Sequence, residues 1–235
     1  MRAIVLAGGA GSRLRPVTGG VPKALALIGG ELPILGIILR QLAAAGFTRA
    51  TLAVNRRSQP IVDAFGDGAA WGLAVDYSVE EVPLGTVGPL TLIGDLPADF
   101  LVMNGDLLSD VGQGAVLEAH LAAGNDVTVA VCRHRLPIAY GVVRSDGERR
   151  LAGFVEKPTV EIDVNMGIYG MRRSVIERLP RGEPCGFDEL LQAGLARRDR
   201  IGVFPWAGQW LDVGCAESYA RANRLWPSLR SKLLP

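Results

Sequence analysis

With 235 residues, 49% of them hydrophobic, the chain can bury a sizeable core and fits one large domain or two small ones. Its 25 basic and 24 acidic residues leave a formal charge of +1, which excludes a broadly cationic surface for nucleic acid or membrane lipid. Its three cysteines, Cys132, Cys185 and Cys215, are too scattered for a zinc pattern or a disulfide framework and point to a reducing, cytoplasmic compartment.

A strand is predicted over 2–7. Its apolar run is too short for a signal peptide, and no stretch approaches the roughly 18 apolar residues of a membrane span. The strand runs into LAGGAGSRLRPVTGGVPKAL (6–25). Here Leu6, Ala7, Gly8, Gly9, Gly11 and Ser12 form a turn whose backbone N–H groups can cradle an anion, because glycine lets the chain bend and approach a ligand closely. Arg13, Arg15 and Lys23 follow within short reach, which suits a polyanion such as a triphosphate. A P-loop is excluded, since no Lys-Ser or Lys-Thr follows the glycines. In the dinucleotide fingerprint, Leu14 would occupy the third glycine position, and the arginines would be unexplained even though Glu31 lies at the spacing of a ribose-binding acid.

Further along, helices are expected over 33–45, 58–66, 86–93 and 112–123, and strands over 50–55, 74–79, 99–104 and 127–132. Pro33 suits a first helical turn and Gly46 a helix end. Runs such as Phe100-Leu101-Val102-Met103, without alternation, fit strands buried on both faces. This order predicts an α/β fold, a Rossmann-like, doubly wound and mostly parallel sheet, with ligands at the carboxyl ends of its strands. The turn before the 86–93 segment, Glu80 to Thr86, leaves two readings open: Thr86 caps that helix, or the turn touches a base or sugar.

The second half changes character. Residues 140–144 and 151–156 flank Ser145-Asp146-Gly147 and read as a hairpin. A strand over 164–171 follows, then helices over 187–197 and from about 216 to 225. No linker interrupts the chain, so residues 1–235 read as one catalytic domain with a small β insertion facing the substrate.

Two aspartates stand out. Asp106 ends a buried strand in Asn104-Gly105-Asp106, as a magnesium ligand or as a turn residue. Asp212 lies inside the apolar run Trp210-Leu211-Asp212-Val213-Gly214, where a metal, a salt bridge or a helix cap would offset its charge. Glu156-Lys157-Pro158 could hold a sugar hydroxyl and a phosphate, or be an exposed turn; Pro158 favours an extended Lys157. Asn165, polar within an apolar strand, suits hydroxyl recognition. His120 and His134 lack partners at catalytic spacing, and no nucleophile elbow occurs, so no covalent catalyst is expected.

These segments, in this order, resemble the sugar-1-phosphate nucleotidyltransferases, also called NDP-sugar pyrophosphorylases. The matching stretches are 6–25, EEVPLGTVGPL (80–90), NGD (104–106), YGVV (140–143), FVEKP (154–158), VNMGIYGM (164–171) and WLDVG (210–214). The resemblance implies Mg²⁺ on Asp106 and Asp212, Arg13 on the triphosphate, and Lys23 on phosphate near the reacting centre. It implies Lys157 on the sugar phosphate, and Glu156, Asn165, Asn104 and Gly141 on the sugar side. Gly85 and Thr86 would lie near the nucleoside or the sugar. Ser12 stands where Thr is common, and Cys215-Ala216 where Thr-Pro is common. Many such proteins continue into a left-handed β-helix, which is not expected here.

The implied reaction joins an NTP and a sugar 1-phosphate into an NDP-sugar and pyrophosphate. The 80–90 segment is most similar to the mannose-1-phosphate guanylyltransferase branch, which favours GTP. UTP or dTTP as donor, an acceptor other than a sugar phosphate, and a non-catalytic nucleotide-sugar sensor are the alternatives. Expected partners are the two substrates, with neither nucleic acid nor membrane, and homo-oligomerisation is left open.

Overall fold

The structure is a computed structural model that describes residues 1–9, 14 and 19–234. Its strands are β1 Arg2–Leu6, β2 Leu27–Ile28, β3 Leu32–Pro33, β4 Arg49–Asn55, β5 Ala74–Glu80, β6 Asp99–Asn104, β7 Leu107–Ser109, β8 Val127–Pro137, β9 Val142–Ser145, β10 Leu151–Val155, β11 Thr159–Arg172, β12 Ile201–Trp206 and β13 Trp210–Asp212. The α-helices are α1 Ile34–Ala44, α2 Gln59–Phe65, α3 Gln113–Ala123, α4 Arg173–Glu177, α5 Phe187–Arg197 and α6 Ala216–Leu233.

Seven strands form one sheet in the order β12-β8-β11-β6-β1-β4-β5. Pairing is parallel throughout except along β11, which runs antiparallel to both β6 and β8. The N-terminal strand lies inside the sheet, with Val5 opposite Leu52 on one side and Met103 on the other. Alternate residues of β1 face opposite sides. Ala3 and Val5 join a core with Ile34, Ile38 and Leu42 of α1 and with Trp226 and Leu229 of α6. Ile4 joins a second core with Val102, Tyr169 and with Phe187 and Leu190 of α5. Each fully buried aliphatic side chain here contributes roughly 1.5–3 kcal/mol of transfer free energy. The expected doubly wound, mostly parallel sheet is thus present, and the strands at its centre read as unbroken apolar runs because both faces are covered.

Beyond Cys132, β8 and β11 continue as a two-stranded ribbon, pairing Asp163 with Arg133 and Thr159 with Pro137. The separate β9–β10 hairpin lies between them in sequence, as expected. Together they form the small β insertion.

Among the elements that differ from expectation, three have a clear cause. The 86–93 segment is a 3₁₀ turn over Gly88–Leu92, not an α-helix. Gly88 packs so tightly that a Cβ would lie 2.5 Å from the Glu183 carbonyl, and Pro89 donates no hydrogen bond. The last helix passes through Pro227 to Leu233, because Trp226, Leu229 and Leu233 continue the buried stripe beyond the proline. The 127–132 strand extends to Pro137, since β11 supplies a partner along its whole length. Among the described residues, no helix is long and apolar enough to cross a membrane.

Candidate active site

The carboxyl ends of β1, β4, β5 and β6 meet on one edge of the sheet. There Ala7 donates its N–H to the Ala53 carbonyl (2.8 Å), and Gly105 donates to the Leu6 carbonyl (2.9 Å). Only glycine fits at 105, where a Cβ would stand 2.9 Å from that same carbonyl oxygen. Leu6 and Ala7 are half-buried, and Gly8 and Gly9 carry the chain outward. Asn55 donates its side-chain N–H to the Gly8 carbonyl. Gly11, Ser12 and Arg13 lie outside the described residues, as does Arg15.

A short antiparallel ladder brings the two aspartates together. Asp212 on β13 pairs with Leu107 on β7, and the Val213 N–H donates to the Asp106 carbonyl at 3.0 Å. Asp106, the residue before Leu107, therefore stands next to Asp212 although 106 positions separate them in sequence (212 − 106 = 106). The Lys23 ammonium, on a 3₁₀ turn over Lys23–Leu25, pairs with the Asp106 carboxylate. Gly214 leaves room beside Asp212, since a Cβ there would come within 2.8 Å of its carboxylate.

Among the described residues, no group of three or more histidine, cysteine or acidic side chains could hold a metal alone. One or two carboxylates at the end of a sheet suit a hard cation that keeps waters and takes further ligands from a phosphate, and Asp106 and Asp212 are the acids that the ladder brings to neighbouring positions. An ammonium already on one carboxylate fits the same picture, because Lys23 offsets charge that an arriving cation–phosphate pair would otherwise offset.

The Gly85–Thr86 turn is fixed from below. Gly85, at φ +78°, bridges to Cys185. Cys185 receives N–H bonds from Val87 (2.9 Å) and Gly88 (3.2 Å) and donates its own to Leu84 (3.0 Å). Of the two readings for Thr86, capping of its own helix does not occur. Its hydroxyl instead accepts the N–H of Phe187 (3.1 Å), the first residue of α5, 101 positions on. Both Gly85 and Thr86 remain exposed.

On the far side of β6, β11 carries a bulge between Asn165 and Tyr169. Gly167 within it has φ +72° and packs against the Asn104 side-chain amide, where a Cβ would lie 2.5 Å from Nδ2. The Asn165 Oδ1 accepts the Gly167 N–H (2.8 Å), and its Nδ2 donates to the Tyr169 hydroxyl (2.6 Å). Gly141 approaches Glu156 closely, since a Cβ would lie 2.9 Å from Oε2. Glu156 and Lys157 are exposed, and Lys157 enters no ion pair among the described residues.

Lys157 corrects one expectation. Its φ is +45°, left-handed rather than extended. Only Glu156, Lys157 and Pro158 connect β10 to β11, and so short a connection outweighs the usual pre-proline preference. A non-glycine residue held there stores backbone strain.

Three residues of this edge escaped the sequence reading. Glu80, buried at the end of β5, accepts the Leu84 N–H (3.1 Å) and lies against Gly8, where a Cβ would be 3.0 Å from Oε1. Asn55 ends β4 beside it. The indole of Trp210 donates to the Met166 carbonyl of the bulge (3.0 Å). Applying the strand-end rule to every parallel strand would have singled out Asn55 and Glu80; nothing local marks Trp210.

Comparison with known proteins supplies independent evidence. The family model described as nucleotidyl transferase matches residues 2–228. A mannose-1-phosphate guanylyltransferase of Mycobacterium tuberculosis is 38% identical over 229 residues, covering 94% of this chain and 63% of that protein. A mannose-1-phosphate guanyltransferase of Schizosaccharomyces pombe is 35% identical over 245 residues, covering 100% of this chain and 67% of that protein. The chain thus spans about two thirds of the length of these curated relatives. Among solved structures, HddC from Yersinia pseudotuberculosis superposes with a TM-score of 0.75 at 25% identity, covering 96% of this chain and 99% of that one. The same protein complexed with GMP-PN gives 0.73 at 26% identity, with the same coverage.

Proposed function

The chain belongs to the nucleotidyl transferase family, and from that premise we propose that it makes an NDP-sugar and pyrophosphate from an NTP and a sugar 1-phosphate. The observation that carries this reading is the β7–β13 ladder, which sets the backbones of Asp106 and Asp212 on adjacent rungs, with Lys23 on Asp106, at the edge where the glycine turn leaves β1. In the reaction, an oxygen of the sugar phosphate attacks the α-phosphorus in line. The new P–O bond forms as the bond to the β-phosphate bridge breaks, and pyrophosphate leaves with that electron pair. The nucleophile is already an anion, so no protein base or covalent intermediate is needed. The protein contributes positioning and charge.

Asp106 and Asp212 would hold a divalent cation, for which we propose Mg²⁺. When bound, the cation neutralises charge on the triphosphate. Lys23 serves phosphate oxygens beside these carboxylates, and Arg13 serves the triphosphate. The glycine turn lends backbone N–H groups, while Gly85 and Thr86 face the nucleoside. Lys157 takes the sugar phosphate, with Glu156, Asn165, Asn104 and Gly141 around the hydroxyls. Their distribution supports these roles: the nucleotide set follows β1 and β5, the sugar set flanks β11, and the aspartates lie between.

GTP is the proposed donor, and a manno-configured sugar or heptose 1-phosphate the first acceptor to try. The guanylyltransferase relatives and the GMP-PN complex of HddC support the base. We read residues 1–235 as one catalytic unit, because β12 at 201–206 completes the sheet begun by β1. A cytoplasmic setting accords with three free cysteines. A matrix of NTPs against sugar 1-phosphates, read by pyrophosphate release, tests the reading. No release with any pair overturns the reaction class; a dominant UDP- or dTDP-sugar under equal competition overturns the choice of GTP alone.

A further inference from the structure

Tyr169 stands apart from the residues already assigned. It is a polar side chain buried to 3% exposure, and its hydroxyl meets a residue of the open edge. The bulge explains how. Asn165 pairs with Val131, yet the next registered pair is Tyr169 with Val129, so β11 advances four residues while β8 advances two. The extra residues turn the chain through Gly167 and bring Asn165 back over Tyr169.

The Asn165 amide is consequently fixed at both ends. The Gly167 N–H requires an acceptor, which sets Oδ1 at that end, and Nδ2 is left to donate to the Tyr169 hydroxyl. Among the described residues no other partner takes the second Nδ2 hydrogen or the second Oδ1 lone pair, so the exposed amide keeps one donor and one acceptor, the two capacities a sugar hydroxyl complements. The hydroxyl that anchors this arrangement is itself immobile. The Tyr169 ring stacks on Phe187 with centroids 3.7 Å apart and planes 9° from parallel. Burial pushes the phenol pKa up to about 12, so the group stays a neutral hydroxyl through the physiological range.

We infer that Tyr169 is a positioning residue for acceptor recognition, its hydroxyl holding the Asn165 amide in the one orientation that presents both free hydrogen-bonding groups to the sugar 1-phosphate. This rests on the proposed reading of Asn165 as a sugar-side residue. Tyr169 itself touches no substrate, so its effect must pass through Asn165.

The test is a double-mutant cycle on steady-state kinetics, with Asn165→Ala, Tyr169→Phe and the double variant. Tyr169→Phe keeps the stacked ring and removes only the hydroxyl. It is expected to raise KM for the sugar 1-phosphate about fivefold, the size of one lost hydrogen bond, with KM for the nucleotide within twofold of the parent. In the Asn165→Ala background the same change should have no further effect. If Asn165→Ala raises the sugar KM while Tyr169→Phe does not, or if the two effects multiply, the positioning role is overturned and the sugar-side reading stands. If Asn165→Ala leaves the sugar KM unchanged, both are overturned. Should Tyr169→Phe not fold, a structure of the parent protein with the sugar 1-phosphate decides: an Asn165 amide bonded at once to the Tyr169 hydroxyl and to a sugar hydroxyl supports the inference, and an amide that leaves Tyr169 to reach the sugar overturns it.

Discussion

Asp106 and Asp212 occupy neighbouring rungs of one short ladder, so each can be removed without disturbing the backbone that presents the other. Asp106→Asn or Asp212→Asn is therefore expected to lower turnover by two orders of magnitude or more, the scale seen when one preorganised charge is lost at a reacting centre. The melting temperature should stay within a few degrees of the parent. Pyrophosphate release at saturating Mg²⁺ checks this, and near-parental rates in both variants would remove the two-carboxylate site. Lys157 is proposed for the other substrate. Lys157→Ala should raise KM for the sugar 1-phosphate and change kcat less, since its charge would meet a ground-state phosphate. Equal losses in kcat and kcat/KM with KM unchanged would show that Lys157 acts in the transition state instead. The two aspartates were visible in the sequence because each is an acid closing or interrupting an apolar run. Tyr169 was not, because a tyrosine in an apolar strand reads as core, and its hydroxyl gains meaning only when a bulge folds Asn165 back over it.

Elements carry the site by holding turns rather than by supplying ligands. Three residues separate the end of β13 from helix α6, which lies across the β2–β3 hairpin. Asn223 accepts the Gly29 N–H (2.8 Å), and Tyr219 donates to the Leu27 carbonyl (2.7 Å). The hairpin in turn follows the 3₁₀ turn that presents Lys23. One helix thus braces the elements bearing Asp212 and Lys23. Gly29, at φ +63°, touches the Trp226 ring so closely that a Cβ would overlap it. Gly29→Ala is expected to cost about 2–4 kcal/mol, from overpacking added to left-handed strain. A urea melt reads this loss, and a cost within 0.5 kcal/mol would show that the helix yields at no expense. The helix boundaries lay partly beyond the sequence reading. Pro227 reads locally as a stop, whereas Trp226, Leu229 and Leu233 are held from outside the helix. Helix α5, by contrast, was legible to its last residue, because Gly186 and a first turn containing Asp188 and Glu189 mark its start.

For the whole molecule, a buried histidine at the opposite end of the strands makes stability depend on pH below neutrality. His120 of α3 is fully buried, with Nδ1 3.0 Å from the Thr128 hydroxyl and Nε2 3.2 Å from Asp99. Burial lowers its pKa, and this outweighs the Asp99 carboxylate, which raises it. The unfolded chain then takes up the proton near pH 6.5, at which the folded chain still resists it. Stability contributed by neutral His120 is whole above that pH and declines as pH falls towards the lower folded pKa. Denaturant melts between pH 7.5 and 5.5 should show this decline, and His120→Gln should flatten it. An unchanged slope in the variant would assign the dependence to other groups. The strands of the Rossmann-like half were legible over 2–104 because they are unbroken apolar runs, although the segment before β6 is a 3₁₀ turn rather than a helix and the β2–β3 hairpin was not foreseen. The other half was less so. β12 contains Pro205 and was not foreseen, and the antiparallel β11 owes its fourteen-residue length to pairing with β8.

The central place of β1 also fixes a timetable for biosynthesis. Its two neighbours are residues 49–55 and 99–104, and the Leu6 carbonyl is not paired until Gly105 arrives. At about 5–20 residues per second, the glycine turn waits on the order of 5–20 s after its own translation for the second flanking strand. Asp212 comes roughly a hundred codons later still, followed by the helix that braces the Lys23 turn. A nascent chain can therefore flank β1 on both sides well before Asp212 exists. On the proposed function, competence to bind a metal–triphosphate complex would arrive only once residues 210–233 have been made, long after the glycine turn itself.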